Sequence, residues 1–157
     1  MIRVLFVCLG NICRSPMAEA VFRDLVASAA LDDRIDVASA GTSGWHEGER
    51  AHPGTLGVLR KNGIRHVGRS QQVTMEMIQE ADYVIAMDQE NVTQLRAMDE
   101  RHVMNGKLHR LLEYAPDGTT LDVPDPYYEG GFDRVFELVN AGAQGLLQTI
   151  RSEHNLS

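Results

Sequence analysis

The sequence is poor in cysteine, and this shortage excludes two classes of protein. Only Cys8 and Cys13 occur among the 157 residues. Two thiols five positions apart do not build a disulfide framework, and without a histidine cluster they fall short of the four ligands of a structural zinc site. We therefore expect reduced thiols, a cytoplasmic location and no bound metal.

The sequence also lacks an excess of positive charge and any long apolar run. Lysine and arginine number 15 against 22 aspartates and glutamates, which gives a net charge of −7. Nucleic-acid binding needs clustered basic residues, so no nucleic-acid partner is expected. No apolar run reaches the ~20 residues that cross a bilayer, and residues 1–7 are too short for a signal-peptide core. No membrane partner is expected either.

Strand and helix patterns alternate along the chain. Strands are predicted at 2–8, 35–40, 83–87 and 107–112. Helices are predicted at 16–30, 53–62, 75–80, 91–98 and 132–150, with a long loop over 119–131. This alternation indicates an α/β fold with a parallel sheet covered on both faces, and the length fits a single domain over 1–157. Ligands of such sheets bind beyond the carboxyl ends of the strands, so the loop after the first strand is the place to look.

That loop has the features of an anion site. It reads Cys8-Leu9-Gly10-Asn11-Ile12-Cys13-Arg14-Ser15. Amide groups at a helix start point towards an anion, and Gly10 and Asn11 tolerate the dihedrals of a tight anion-binding turn. Arg14 presents a planar fork of donors for two phosphate oxygens. Ser15 is expected to cap the helix, with Pro16 at its first position.

Cys8 lies close to the amides of the helix start and to Arg14, whose positive electrostatic potential favours the nucleophilic thiolate form of a cysteine. A thiolate beneath a phosphoryl group is poised for in-line attack, which gives a phosphocysteine while Arg14 and the loop amides hold the oxygens. Ser15 can donate a hydrogen bond to the departing thiolate. The alternative is that Cys8 is a buried packing residue, since cysteine is among the most buried residue types. The strand before the loop and the Gly, Asn, Arg and Ser within it all fit a phosphate site, which favours the nucleophilic role of Cys8.

The chain resembles a low-molecular-weight protein-tyrosine phosphatase over nearly its whole length. The matching segments are VCLGNICRSPMAE at 7–19, SAGT at 39–42, MD at 87–88 and DPYY at 125–128. The resemblance implies a three-layer fold whose four-stranded parallel sheet has the order 2-1-3-4. It implies Cys8 as nucleophile, Arg14 as phosphate clamp and Asp125 as general acid, without metal or cofactor.

The resemblance also assigns supporting and substrate-facing residues. Asn11 and Ser39 are expected to hold the loop, with Asp88 at the end of the third strand in a secondary role. Trp45 and Tyr127 are expected to be aromatic walls, which would select a flat phenyl phosphate. The implied partner is a phosphotyrosine protein or a small aryl phosphate, with a tyrosine kinase among the candidates.

Several alternatives stay open at this level. A proline-flanked Asp125 suits a general acid that first protonates a phenolate and then deprotonates water, but it also suits a simple turn, with Asp122 and Asp88 as competing acids. Cys13 either traps an oxidised Cys8 as a disulfide or fills space. Trp45 either faces the substrate or folds back onto the core.

One position departs from the family pattern. Gly68 stands where many relatives have a histidine that supports the loop asparagine. His66 is a candidate substitute for that histidine, and without it Asn11 would be held in a different way.

Other functions of the same fold are less well matched. An arsenate reductase needs further cysteines for its thiol relay. A phosphoarginine phosphatase would have Thr at Ile12 and Phe at Tyr127. A pure binding module or redox sensor would not need both Arg14 and Asp125.

Overall fold

Four parallel strands form the centre of the fold in the order β2-β1-β3-β4. The computed structural model describes residues 1–116 and 120–156. The strands are β1 (Ile2–Cys8), β2 (Ile35–Gly41), β3 (Tyr83–Ala86) and β4 (Leu108–Arg110). In the register, Cys8 lies beside Gly41 and Val7 beside Ala86, so the carboxyl ends of β2, β1 and β3 meet at one edge. The predicted fold class and strand order are confirmed.

Helices cover both faces of this sheet. They are α1 (Arg14–Ser28), α2 (Pro53–Lys61), α3 (Met75–Glu80), α4 (Gln89–Met98), α5 (Pro126–Glu129) and α6 (Phe132–Glu153), with a 3-10 turn at Leu111–Tyr114. Alternate residues of β1 point to opposite faces, as the strand period of two requires. Val4 and Phe6 join the apolar cluster with α1 and α6, whereas Leu5 and Val7 join the cluster with α3 and α4. This explains why β1 is apolar throughout.

Two predicted elements differ from the observed ones. The fourth strand was expected over 107–112, but it ends at Arg110 and a 3-10 turn follows. Leu111 and Leu112 are both buried in the cluster beneath α6. A strand would have pointed them to opposite faces, so the helical turn is the geometry that buries both.

The predicted loop over 119–131 contains a short helix. Pro126 fixes the dihedral of its first residue and the Asp125 side chain caps it, so α5 forms where a structureless loop was expected. The start of that loop, Thr119, lies outside the described residues. The remaining helix ends differ by at most three residues: α1 begins at Arg14 instead of Pro16, and α6 ends at Glu153 instead of residue 150. Among the residues with described structure, no helix has the length and apolarity to cross a bilayer.

Candidate active site

Cys8 ends the strand at the centre of the sheet and lies beside Ser15. The Cys8 Sγ atom is 3.0 Å from Ser15 Oγ, and both side chains are buried. The expectation that Ser15 caps α1 is wrong, because α1 begins at Arg14 and Cys13 occupies the N-cap position without a side-chain bond. The Ser15 hydroxyl instead faces the sulfur, where it is placed to donate a hydrogen bond to a thiolate.

The turn of the loop depends on Asn11, which has a φ of 55°. Its Nδ2 donates to Ser15 Oγ (2.8 Å) and Ser39 Oγ (3.0 Å), and its Oδ1 accepts from the amide of Gln71 (2.9 Å). Gly10 was expected to supply unusual dihedrals, but it lies outside the left-handed region. A Cβ at Gly10 would be 3.0 Å from His46 Cδ2, so a close approach of the imidazole is what favours glycine there.

The carbonyl groups of the loop accept hydrogen bonds from other segments of the chain. Donors on neighbouring segments reach the carbonyl oxygens of Cys8, Leu9, Gly10, Ile12 and Cys13 at 2.8–3.0 Å. Within the part of the chain that the structure describes, the amides of Gly10, Ile12 and Cys13 donate to no backbone carbonyl. The N–H of a peptide group points away from its carbonyl oxygen, so these N–H groups point away from the segments that bind the carbonyls. A concave set of such amides binds anions.

Arg14 is buried at the floor of this cradle by three contacts. Its Nη1 donates to Asp88 Oδ2 (2.5 Å) and to the carbonyl of Val123 (3.0 Å), and its Nη2 lies 3.4 Å from Asp125 Oδ2. Burial opposes the charge, but the negative charges of Cys8, Asp88 and Asp125, together with the Asp88 hydrogen bond, raise the pKa of Arg14 above its ordinary value. The guanidinium therefore stays charged beneath the loop.

Asp88 fixes this arginine from the end of β3. Its Oδ2 accepts a hydrogen bond from Arg14 Nη1. Asp88 is also the N-cap of α4, and its Oδ1 accepts from the amide of Asn91 (2.8 Å). The sequence predicted a secondary role for Asp88 in supporting the loop. In the structure Asp88 contacts the loop through the side chain of Arg14.

A buried carboxylate that the sequence reasoning missed supports the loop from below. Glu19 Oε1 accepts from Ser39 Oγ (2.6 Å) and lies 3.1 Å from His66 Nε2. Burial raises the pKa of Glu19, but the hydrogen bonds of His66 and Ser39 and the charge of Arg23 outweigh it and lower the pKa below its ordinary value. Its sequence signal was its position four residues after Ser15, on the same face of α1.

The departure noted at Gly68 is resolved by this network. His66 contacts Glu19, Glu19 binds Ser39, and Ser39 binds Asn11, so the histidine reaches the loop asparagine through two side chains. A Cβ at Gly68 would be 3.4 Å from His66 Cε1.

Asp125 lines the same cleft as Cys8 from the segment before α5. Its Oδ1 accepts from the amide of Tyr127 (3.1 Å), and its Oδ2 points towards Arg14. The competing acids are engaged elsewhere: Asp122 accepts from Gln89 and Arg110, and Asp88 is held by Arg14 and Asn91. Asp125 is the acidic side chain that lines the cleft above Cys8.

The cleft consists of a floor and a rim. Loop residues form its floor, and the rim consists of Ser43, Trp45, His46, Asp125, Tyr127 and Tyr128. Trp45 is 82% exposed and therefore does not fold back onto the core. Tyr127 contacts Tyr128 edge to face, with ring centroids 5.0 Å apart. Over residues 1–116 and 120–156, no cluster of three His, Cys, Asp or Glu side chains could hold a metal ion.

Cys13 differs from Cys8 in its environment. Both are free thiols. Burial, followed by the negative charges of Cys8 and Asp125, raises the pKa of Cys13 to about 12, against the opposing effect of Arg14. Cys13 is therefore a protonated thiol at neutral pH.

Comparison with known proteins agrees with this geometry. The family model described as "Low molecular weight phosphotyrosine protein phosphatase" matches residues 3–156. A Bacillus subtilis relative, the low-molecular-weight protein-tyrosine-phosphatase YfkJ, is 48% identical over 157 residues, with 99% of this chain and 100% of the relative covered. This chain belongs to the low-molecular-weight phosphotyrosine protein phosphatase family. The predicted family and enzyme class are confirmed.

Solved structures of family members extend the agreement to the fold. The crystal structure of YfkJ superposes with a TM-score of 0.94 at 49% identity, covering 98% of this chain and 96% of that one. The crystal structure of DARP, a Drosophila arginine phosphatase, superposes with a TM-score of 0.88 at 29% identity, covering 94% and 97%. The shared fold therefore includes enzymes named for two different phosphoryl substrates.

The sequence missed three rim residues of this phosphatase. Ser43, His46 and Tyr128 line the cleft beside the expected Trp45 and Tyr127. A signal was present for two of them, since His46 directly follows Trp45 and Tyr128 directly follows Tyr127. In a loop or a single helical turn, adjacent residues can reach the same opening.

Proposed function

We propose that this phosphatase hydrolyses phosphotyrosine in proteins, and small aryl phosphates, through a phosphocysteine on Cys8. The observation that carries the proposal is the convergence of Cys8, Arg14 and Asp125 on one cleft above a cradle of loop amides. Residues 1–157 act as one phosphatase domain in this proposal, and no metal or cofactor takes part.

In the first step, the Cys8 thiolate attacks phosphorus, so an S–P bond forms as the P–O bond to the tyrosyl oxygen breaks. Asp125 donates its proton to that oxygen, and tyrosine leaves as the neutral phenol. Arg14 and the amides of the loop, from Leu9 to Ser15, bind the three oxygens of the phosphoryl group throughout the transfer.

In the second step, water attacks the phosphocysteine and Asp125 takes its proton. The S–P bond breaks and inorganic phosphate forms. The sulfur departs as a thiolate, and the Ser15 hydroxyl at 3.0 Å is placed to stabilise its charge. Asn11 and Ser39 hold that hydroxyl and the loop in place, while Asp88 holds Arg14.

The rim supports phosphotyrosine over other phosphate esters. Trp45 and Tyr127 present aromatic surface at the mouth of the cleft, where a phenyl ring attached to a bound phosphate would lie. Phosphoarginine is the second candidate, because the DARP structure shares the fold. Ile12 and Tyr127 favour the aromatic substrate.

A phosphorylated tyrosine kinase is one candidate protein substrate. A reducing compartment such as the cytoplasm is the proposed location, because a nucleophilic Cys8 beside a second thiol requires both to stay reduced. The same pair allows an oxidised Cys8 to be trapped by Cys13, which would protect the sulfur reversibly.

The test is the Cys8→Ser variant assayed with p-nitrophenyl phosphate. We expect hydrolysis to fall to the background rate, because the serine hydroxyl is a poor nucleophile in a site without a base for it. Inorganic phosphate should still raise the melting temperature of the variant, which shows that the folded loop survives. Substantial hydrolysis by Cys8→Ser would exclude the proposed mechanism.

The substrate class is tested with matched phosphopeptides that carry phosphotyrosine, phosphoserine or phosphoarginine. We expect the largest kcat/KM for phosphotyrosine. A larger value for phosphoarginine would favour phosphoarginine hydrolysis, the second candidate function, and Cys8 would keep the same role.

A further inference from the structure

The start of α2 is bound to the floor of the cleft. The backbone amide of His52 donates to the carbonyl of Ile12 (2.8 Å), and Thr55 Oγ1 donates to the carbonyl of Cys13 (3.0 Å). His52 is also the N-cap of α2, since its Nδ1 accepts from the amide of Gly54 (2.9 Å). The backbone of His52 therefore moves with the phosphate-binding loop.

The ring of His52 contacts two other aromatic rings, one of which belongs to the rim of the cleft. It stacks on Phe132, the first residue of α6, with centroids 5.0 Å apart and planes inclined by 21°. It also meets the ring of Tyr127 edge to face at 5.9 Å. A Cβ at Gly54 would lie 2.4 Å from Phe132 Cε2, so the phenyl ring fills the space a side chain would occupy.

Tyr127 also contacts the rings of His46 (centroids 5.7 Å apart) and Tyr128 (5.0 Å), but the backbone amide of His52 is the one bonded to a loop carbonyl. Tyr127 lies on the four-residue helix α5, and its side chain is nearly half exposed. Its backbone amide also donates to Asp125 Oδ1, so the wall residue and the cleft carboxylate share one short segment. A ring packed against a residue that is bound to the floor would fix the spacing between floor and wall.

We propose that His52 is a positioning residue that sets the Tyr127 wall relative to the phosphate-binding loop. The proposal rests on the proposed function, in which Tyr127 contacts the substrate ring. His52 does not touch the phosphoryl group in this account. It determines how well an aryl group fits once the phosphate is bound.

The competing explanation is that His52 only caps α2, and two substitutions separate the roles. His52→Asn keeps a side-chain acceptor for the helix start and removes the ring contacts with Phe132 and Tyr127. His52→Phe keeps a ring of similar size and removes the acceptor. His102→Asn is the matched control, because His102 is exposed and is not among the residues that line the cleft.

The experiment compares KM for p-nitrophenyl phosphate with the inhibition constant of inorganic phosphate, which has no ring. For His52→Asn we expect KM to rise by about three- to ten-fold, the factor that corresponds to one lost aromatic pair. The inhibition constant should stay within about two-fold of the unaltered value, since the loop amides and Arg14 are untouched. His52→Phe and the control should keep KM close to the unaltered value.

Each outcome decides between the accounts. An unchanged KM in His52→Asn, or a rise in His52→Phe alone, would assign His52 to capping and overturn the proposal. Equal rises in KM and in the inhibition constant of phosphate would place the effect in the floor and also overturn it. Failure of the unaltered protein to hydrolyse aryl phosphates would contradict the proposed function itself, a result that is visible before any variant is compared.

Discussion

The floor and the rim of the cleft are built in opposite ways. Cys8, Arg14 and Ser15 are at most 3% exposed, and hydrogen bonds reach the floor from several elements of the fold. On the rim, Trp45 and Tyr128 are 82% and 71% exposed. The difference indicates that the preorganised floor, together with Asp125, performs the chemistry, whereas the exposed aromatic residues of the rim select the substrate.

The rigidity of the floor follows from its polarity. Buried polar groups are costly unless they are hydrogen-bonded, and a fully bonded network fixes a single arrangement. Asn11, Ser39 and Glu19 form such a network under the loop. The most exposed rim side chains, Trp45 and Tyr128, have water as an alternative partner, so little energy holds them in one rotamer. Substitutions in the floor, and of the general acid Asp125, should therefore reduce kcat, and those of the aromatic rim residues should mainly change KM.

Among substitutions that keep the nucleophile, the largest effect is expected for Asp125→Asn, which removes the proton donor and leaves the shape of the side chain nearly unchanged. We expect kcat for a phosphotyrosine peptide to fall by about 10²- to 10⁴-fold. With p-nitrophenyl phosphate, whose leaving group needs less help from an acid, the first step should be impaired less. Steady-state and burst kinetics on both substrates measure this difference.

Asp122→Asn is the matched control for that variant, because Asp122 lies three residues earlier and binds Gln89 and Arg110 outside the cleft. Its kcat should stay close to the unaltered value. If Asp122→Asn lost activity and Asp125→Asn kept it, the assignment of the acid would be wrong.

An intermediate effect is expected for Glu19→Gln, which weakens the support of the floor without touching the cleft. We expect kcat to fall by about ten-fold, since small misplacements of catalytic groups are costly. The free energy of unfolding at neutral pH should fall by about 1–3 kcal/mol, because hydrogen bonds from Ser39 and His66 lose their charged acceptor. Urea unfolding and steady-state kinetics measure the two effects.

The pH dependence of that variant has a definite sign. Folding lowers the pKa of Glu19 below its ordinary value of 4.5, so its contribution to stability is complete above that pH and is lost as the pH falls through the folded-state pKa. The difference between the unaltered protein and Glu19→Gln should therefore shrink in acid. A difference that grew below pH 4.5 would contradict this account, and Glu137→Gln on the exposed face of α6 serves as the control.

The smallest effect is expected for Trp45→Ala on the rim. We expect KM for aryl phosphates to rise by about two- to ten-fold, with kcat and melting temperature nearly unchanged. A large loss of kcat would contradict the division between floor and rim. Val67→Ala, an exposed apolar residue away from the cleft, is the control for general surface effects.

The sequence sufficed for the fold because each strand and helix carries its own local signal. The apolar run of β1 and the glycine that follows it mark the central strand and its loop. The helical turn at Leu111 and Leu112 was not predictable in this way, because two adjacent leucines fit a strand until both must reach the same core.

The site was predictable where side chains lie in one motif and less so where distant segments meet. Cys8 and Arg14 stand in a single loop. The contacts of His66 with Glu19, and of His52 with Tyr127, join residues more than 40 positions apart, and no local pattern encodes them. The capping role predicted for Ser15 was wrong, although a serine before a proline is a good capping signal. Its hydroxyl lies beside Cys8, as the expected hydrogen bond to the thiolate requires.

The most direct test of the central claim is to quench the reaction with an aryl phosphate within milliseconds and to locate the phosphoryl group by mass spectrometry. A slow second step in Asp125→Asn should let the intermediate accumulate in that variant. The account predicts an added phosphoryl group on the peptide that contains Cys8, and none in the Cys8→Ser protein. Turnover without any phosphorylated Cys8, or a phosphoryl group on Cys13 instead, would contradict it.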